Sequence, residues 1–223
     1  RRLWDAATTS ARRAATQNGH GRVAGSIGPL IASYRPDKCP EPQDAEQQYA
    51  NIVSHLAEKT DFLLIETVSS VKQAEGALRA TDTTGKPVWI AFSVDDFDGS
   101  KLRSGEDISL LADTLRAHRV DAVLVNCSRP EAVSEAMQHI KAFDRPFGAY
   151  ANGFTKITDG FLKDKPTVAA LTERVDLGPA EYAKFAMHWI EIGATIVGGC
   201  CEVGPAHIQE LAKQIKAAGH TIV

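Results

Sequence analysis

Six short, nearly uninterrupted apolar runs, each followed by a helical pattern, constrain this chain more than any other feature. They occupy residues 23–25, 62–66, 88–93, 122–126, 147–150 and 195–198. A strand that is apolar on both faces has to be covered on both faces, which is the condition of a strand within a parallel sheet. The segments between them supply that cover. Across residues 180–192, Tyr182, Phe185, Ala186, Trp189 and Ile190 recur at helical spacing, and Gly193 follows as a stop. Ser128-Arg129-Pro130-Glu131 offers a helix cap, an early proline and an acidic residue three positions after the cap; Ser104 with Asp107 reads the same way. Gly204-Pro205 opens a last helix over residues 205–218.

Strand followed by helix, six times over, fits an open doubly wound sheet or most of a barrel. No Gly-x-Gly-x-x-Gly follows any of the runs, and Gly198-Gly199-Cys200-Cys201 puts thiols where a phosphate loop needs bare backbone. Nucleotide binding is therefore disfavoured. The reading is an α/β fold, a (β/α)8 TIM barrel with its first two strands missing, in one domain over residues 1–223. The long irregular stretches, residues 30–43, 95–104 and 153–178, all follow strands, on the side where such barrels carry their functional loops.

A chain of 223 residues can bury a sizeable core, and 43% hydrophobic with 24% charged residues is ordinary for a globular protein. The net charge of −3 gives no electrostatic case for a nucleic acid or an anionic membrane surface as partner. No apolar run approaches the ~20 residues that cross a bilayer. The opening Arg1-Arg2-Leu3-Trp4-Asp5 lacks the apolar stretch of a secretory signal, so a cytoplasmic protein is expected. Beginning with Arg inside a helical pattern, the chain reads as processed, truncated or partial. Four cysteines are too few for a disulfide framework, and the neighbours Cys200 and Cys201 are poorly placed to bridge each other, so reduced thiols are expected.

Three of those thiols stand at strand ends. Cys127 directly follows one run, and Cys200 and Cys201 directly follow another. On the rim of a barrel they would converge and could hold Zn2+ with a fourth tetrahedral position open, the arrangement of a catalytic rather than a structural zinc. The helix beginning near Pro130 would direct its positive end at Cys127 and favour the thiolate. Spacing alone leaves the alternative open that these are small core residues. Cys39, in a loop with Pro36, Pro40 and Pro42, has no metal-spaced partner. His207 reads as a capping or packing residue of the last helix. Trp89, Phe92, Tyr150 and Phe154 could offer aromatic faces to a cationic ligand, but strand-borne aromatics more often pack in the core.

Val125-Asn126-Cys127 and Ile196-Val197-Gly198-Gly199-Cys200-Cys201, followed by Gly204-Pro205-Ala206-His207-Ile208, resemble the two zinc motifs of the homocysteine S-methyltransferases. Val23-Ala24-Gly25-Ser26-Ile27-Gly28-Pro29, Leu64-Ile65-Glu66-Thr67, Ile90-Ala91-Phe92-Ser93 and Tyr150-Ala151-Asn152 match that family in order, from about residue 20 to residue 210. The resemblance implies Zn2+ on Cys127, Cys200 and Cys201, with homocysteine sulfur at the open position attacking an activated methyl group directly to give methionine. It implies that Glu66 binds the homocysteine amino group; Asn126, Ser26 and Asn152 fall on rim positions from which they could contact substrate. Asn126 could equally orient Cys127 or simply pair with backbone. The implied partners are homocysteine and a small methyl donor, a sulfonium such as S-methylmethionine or a betaine-type compound. A homo-oligomer is plausible for a barrel enzyme.

The family's opening strand with its Asp-Gly-x-x-Gly-like loop, and the strand after it, have no counterpart here. If residues 1–223 were the whole molecule, unpaired strand edges would predict poor folding in isolation. Two other readings follow from the same residues: a truncated barrel with a purely structural zinc serving binding or assembly, and a metal-free barrel with another thiol chemistry.

Overall fold

The computed structural model describes residues 2–223; Arg1 lies outside the described residues. In chain order the elements are α1 (Arg2–Gln17), β1 (Ala24–Ile27), α2 (Pro42–Ala57), β2 (Phe62–Val68), α3 (Val71–Thr81), β3 (Val88–Phe92), α4 (Leu111–Ala117), β4 (Ala122–Asn126), α5 (Pro130–Ile140), β5 (Phe147–Tyr150), α6 (Pro179–Ile192), β6 (Ile196–Val197) and α7 (Pro205–Ala217). Among the described residues the six strands form one parallel sheet whose spatial order is the sequence order. A doubly wound sheet reverses direction at a switch point; this one does not. It is wound one way only, as an arc of a barrel is. Among the described residues β1 and β6 do not pair with each other, so the structure shows a six-stranded arc and not a closed eight-stranded barrel.

The alternation within the strands sorts side chains onto two faces. Leu63 and Ile65 of β2, Ile90 and Phe92 of β3, Val123 and Val125 of β4 and Ala149 of β5 are buried in one core with the helices. In α2, Ala45, Tyr49, Val53 and Leu56 line the buried stripe, and in α6 Tyr182, Ala186 and Trp189 do so. The helices end and begin where local chemistry dictates. Ser70 caps α3 by accepting from the Gln73 N–H at 3.1 Å. Gly193 closes α6 at φ 115°, a left-handed conformation that glycine takes without steric cost. β5 and β6 approach so closely that a Cβ on Gly148 would stand 1.7 Å from the Ile196 carbonyl oxygen.

Two expected caps differ. Ser128 does not cap α5; Arg129 holds the cap position, and the Ser128 hydroxyl is committed to the Asn126 carbonyl at 2.9 Å and the Val94 N–H at 2.9 Å. Ser104 is likewise not the cap before α4. Asp107 caps the 3-10 turn Ile108–Leu110 that leads into it, accepting from the Ser109 N–H. In both cases the nearest hydroxyl found a better-placed partner. Among the described residues no helix is long and apolar enough to cross a membrane.

Candidate metal centre

Every sequence-marked residue of the site lies at the carboxyl ends of the strands. Cys127 follows β4 at φ 48°, a conformation that costs a non-glycine residue energy. Its neighbours hold it there. The Cys127 N–H donates to the Tyr150 carbonyl at 3.3 Å, and its carbonyl accepts from the Ser93 hydroxyl at 3.3 Å. Cys200 and Cys201 follow β6, with their Sγ atoms 3.9 Å apart, and all three Sγ atoms lie within 4.8 Å of one another. Tetrahedral Zn2+ with Zn–S bonds of about 2.3 Å needs sulfurs about 3.8 Å apart. The donor set therefore fits a soft or borderline metal with little rearrangement. Cys127 is buried, Cys200 half-buried and Cys201 exposed, so the cluster opens to solvent on one side.

The thiols share protons unequally. Hydrogen bonds from Cys127 and then Cys200 draw the Cys201 thiol down to about 3. Cys200 is raised by its hydrogen bonds with Cys127 and Cys201 and then by burial. At Cys127 the hydrogen bond with Cys200 lowers the value, but that with Cys201 together with burial outweighs it, and the thiol is pushed up to about 11. Burial and the Cys201 thiol act at Cys127 against the expected pull of the α5 amino end.

Glu66, within β2, lies between two hydroxyls. Ser26 of β1 donates to one carboxylate oxygen, and Tyr150 of β5 donates to the other at 2.9 Å. Burial first, then the charges of Glu66, Cys200 and Cys127, push the Tyr150 phenol up. Asn126 is fully buried and both ends of its amide go to one residue: Oδ1 accepts from the Thr67 N–H at 3.0 Å and Nδ2 donates to the Thr67 hydroxyl at 3.1 Å. Asn152 is also buried. Its Oδ1 accepts from the Phe154 N–H at 3.1 Å, while Nδ2 has no protein partner.

Loops from three strands close over the thiols. Tyr34, from the loop after β1, and Ile157, from the loop after β5, pack with Cys127, Phe161, Leu162, Leu171 and Cys200. Arg103, from the loop after β3, lies 5.0 Å from the centre of the Tyr34 ring and pairs with Asp96 at 2.6 Å. Asp96 also accepts from the Ile157 N–H at 2.7 Å, and the Arg103 Nε donates to Ser93 at 3.1 Å. The Asp96–Arg103 pair and Tyr34 carried no sequence signal beyond lying in long loops after strands. Phe92 and Phe154 are core residues, and Trp89 stacks on Phe62 with ring centres 4.3 Å apart. Cys39 stands outside the thiol cluster, its Sγ directed to the Pro40 carbonyl. His207 caps α7, accepting from the Gly204 N–H at 3.2 Å through Nδ1 and donating to the Leu177 carbonyl through Nε2.

A singly wound parallel α/β sheet with three converging thiols on its carboxyl rim has a donor set that could hold a metal ion. The family model for homocysteine S-methyltransferase matches residues 1–215, and the chain belongs to that family. Homocysteine S-methyltransferase 1 of Brassica oleracea var. italica is 27% identical over 160 residues, which are 70% of this chain and 46% of that protein. Homocysteine S-methyltransferase YbgG of Bacillus subtilis is 27% identical over 206 residues, 85% of this chain and 60% of that protein. The chain thus spans about half the length of the curated relatives it matches. The metallated form of the Escherichia coli homocysteine methyltransferase MmuM superposes with a TM-score of 0.73 at 22% identity, over 95% of this chain and 68% of that one, and so shares the fold.

Proposed function

We propose that this chain carries the zinc site and part of the substrate site of an enzyme that methylates homocysteine to methionine, using a sulfonium such as S-methylmethionine or a betaine-type compound. The observation that carries this reading is the convergence of Cys127, Cys200 and Cys201 within 4.8 Å, with Cys201 facing solvent. Zn2+ bound there would let a substrate thiol lose its proton at neutral pH and remain a nucleophile. The thiol donor set supports zinc, and MmuM of Escherichia coli has been solved in a metallated form.

The chain's own residues supply the rest. Glu66, carried within β2 and gripped by Ser26 and Tyr150, offers its charge to the substrate ammonium; the two hydroxyls fix its direction. Tyr150 joins that acid to β5, the strand that pairs with both β4 and β6, after which the thiols stand. Tyr34, Ile157 and Phe161 make the cover apolar and keep water from competing for the methyl group. The sulfur then forms its bond to the methyl carbon as the bond to the leaving thioether or amine breaks, with the electron pair departing on the leaving group. Beside its bonds to Thr67, each end of the Asn126 amide keeps a further donor or acceptor position for substrate. Asn152, whose Nδ2 has no protein partner, is a group left for ligand.

The test is zinc per chain in protein purified under reducing conditions, with Cys200→Ser alongside, followed by methionine formation from homocysteine with each class of methyl donor. About one zinc per chain, lost in the variant, is expected. Folded, reduced protein without zinc would sink the reading.

A further inference from the structure

Adjacent residues of an extended strand point to opposite faces, yet Cys200 and Cys201 bring their Sγ atoms to 3.9 Å. The hydrogen bonds between β5 and β6 show how. The Gly198 N–H donates to the Ala149 carbonyl at 3.0 Å, and the Cys200 N–H donates to the Ala151 carbonyl at 3.0 Å. In a parallel ladder the rung between these runs from the Ala151 N–H to the Gly198 carbonyl. Here that rung is interrupted by the hydroxyl of Tyr182, which accepts from the Ala151 N–H at 3.1 Å and donates to the Gly198 carbonyl at 2.6 Å. Beyond the interruption the ladder resumes one residue out of step. Regular pairing would send the Gly153 N–H to the Cys200 carbonyl, but it donates to the Cys201 carbonyl at 2.8 Å. The Cys200 carbonyl turns away to accept from Val203 at 3.1 Å. One extra residue has entered the β6 side, as in a bulge, and bulges re-aim side chains.

We infer that Tyr182 is a positioning residue for the metal centre: its hydroxyl replaces one rung of the β5–β6 ladder and sets the one-residue slip that turns Cys200 and Cys201 toward the same point. The inference rests on the reading of these thiols as metal ligands. The ring is placed for the task. It is fully buried in α6 and meets Trp189 and His207 edge-on, with ring centres 6.0 and 5.9 Å away. His207 is itself fixed by its bonds to Gly204 and Leu177. The hydroxyl therefore stands where packing puts it, and the strands part around it. Without it, the Ala151 N–H and Gly198 carbonyl would pair directly, the strands would close, and the register that aims Cys201 into the cluster would be lost.

The experiment compares wild type, Tyr182→Phe and Trp189→Phe. Phenylalanine keeps the ring and removes only the bridge; Trp189→Phe disturbs the same packing and leaves the bridge. Zinc affinity by chelator competition is expected to fall about 10–100-fold in Tyr182→Phe and to hold in Trp189→Phe. The thiolate charge-transfer band of the Co2+-loaded protein should weaken in Tyr182→Phe alone, with far-UV circular dichroism unchanged. Wild-type affinity and band in Tyr182→Phe would overturn the inference. So would equal loss in Trp189→Phe, or failure of Tyr182→Phe to fold. If the wild type itself takes up no metal, the metal reading fails, and the slip is judged by capture of the vicinal thiols with a trivalent arsenical. Slower capture in Tyr182→Phe supports the slip; an equal rate overturns it.

Discussion

Removing one member of the Asp96–Arg103 pair should cost more than any other charge change in the molecule. The side chains are 6% and 10% exposed, and the guanidinium meets both carboxylate oxygens, at 2.6 and 3.2 Å. Two unit charges 4 Å apart attract by about 4 kcal/mol at an effective dielectric of 20. Burial has already desolvated both groups, so the pair as a whole contributes much less than that. Breaking it is another matter, because the surviving charge stays buried and unpaired, at a cost of about 3–5 kcal/mol. Asp96→Asn and Arg103→Met are each expected to lose that much in urea unfolding. In a domain of this size that corresponds to a fall of about 6–20 °C in Tm. The double variant should lose far less than the sum, with a coupling of about 2 kcal/mol or more. The same variants should weaken zinc binding, since Asp96 holds the Ile157 N–H and Arg103 reaches the Cys127 carbonyl through Ser93. Single losses below about 1 kcal/mol, or losses that add within about 0.5 kcal/mol, would refute this account of the pair.

Other outcomes follow from single contacts. Glu66→Gln should raise the homocysteine KM about 10–100-fold, the loss of a charged hydrogen bond, with a smaller change in kcat; an unchanged KM would remove Glu66 from the substrate site. Asn126→Ala leaves the Thr67 N–H and hydroxyl without their partner in a buried place, and should lose about 2–3 kcal/mol in denaturant unfolding. The Asp61 carboxyl is held below its ordinary value of 3.8 by Arg12 first and then by the Val23 N–H. A carboxyl lowered in the folded state stabilises above its unfolded value and loses that contribution as pH falls through its folded value. Asp61→Asn should therefore flatten the acid limb of the stability curve below about pH 4, leaving the remainder of the profile parallel to wild type.

The sheet was legible because its signal is local and repeated. Each of the six apolar runs became a strand, and residues 122–126 and 147–150 kept their limits. The residues at 195–198 shortened to Ile196–Val197 because the ladder is interrupted at Gly198 by a side chain 16 positions earlier, an event no strand pattern announces. The thiols were legible from their place after strands; their unequal burial was not, since that depends on the loops that pack against Cys127 and leave Cys201 exposed. Ser128 and Ser104 misled for one reason. A hydroxyl near a helix start has several acceptors and donors within reach, and only the folded neighbourhood decides among them. Asp96 and Arg103, separated by seven residues in an irregular loop, look like any two surface charges until the chain closes around them.

Strain and its restraint meet at one side chain. Thr67 and Cys127 are both non-glycine residues at left-handed φ, 61° and 48°, and each directly follows a residue of the site, Glu66 within β2 and Asn126 at the end of β4. For a β-branched residue such a conformation is costly, and it persists only where surrounding contacts over-determine it. Asn126 supplies them for Thr67, holding its N–H and its hydroxyl together. Asn126 is also the residue before Cys127, so the clamp that holds the turn after Glu66 is anchored one bond from the turn that aims a thiol. Displacing either turn therefore acts on the other. That is a physical reason for an amide at position 126: an aspartate there could accept from the Thr67 N–H and hydroxyl but would bury a charge, and a leucine would offer a partner to neither. The acid and the thiol stand on β2 and β4, two strands apart in the sheet, and this one side chain spans the gap between them.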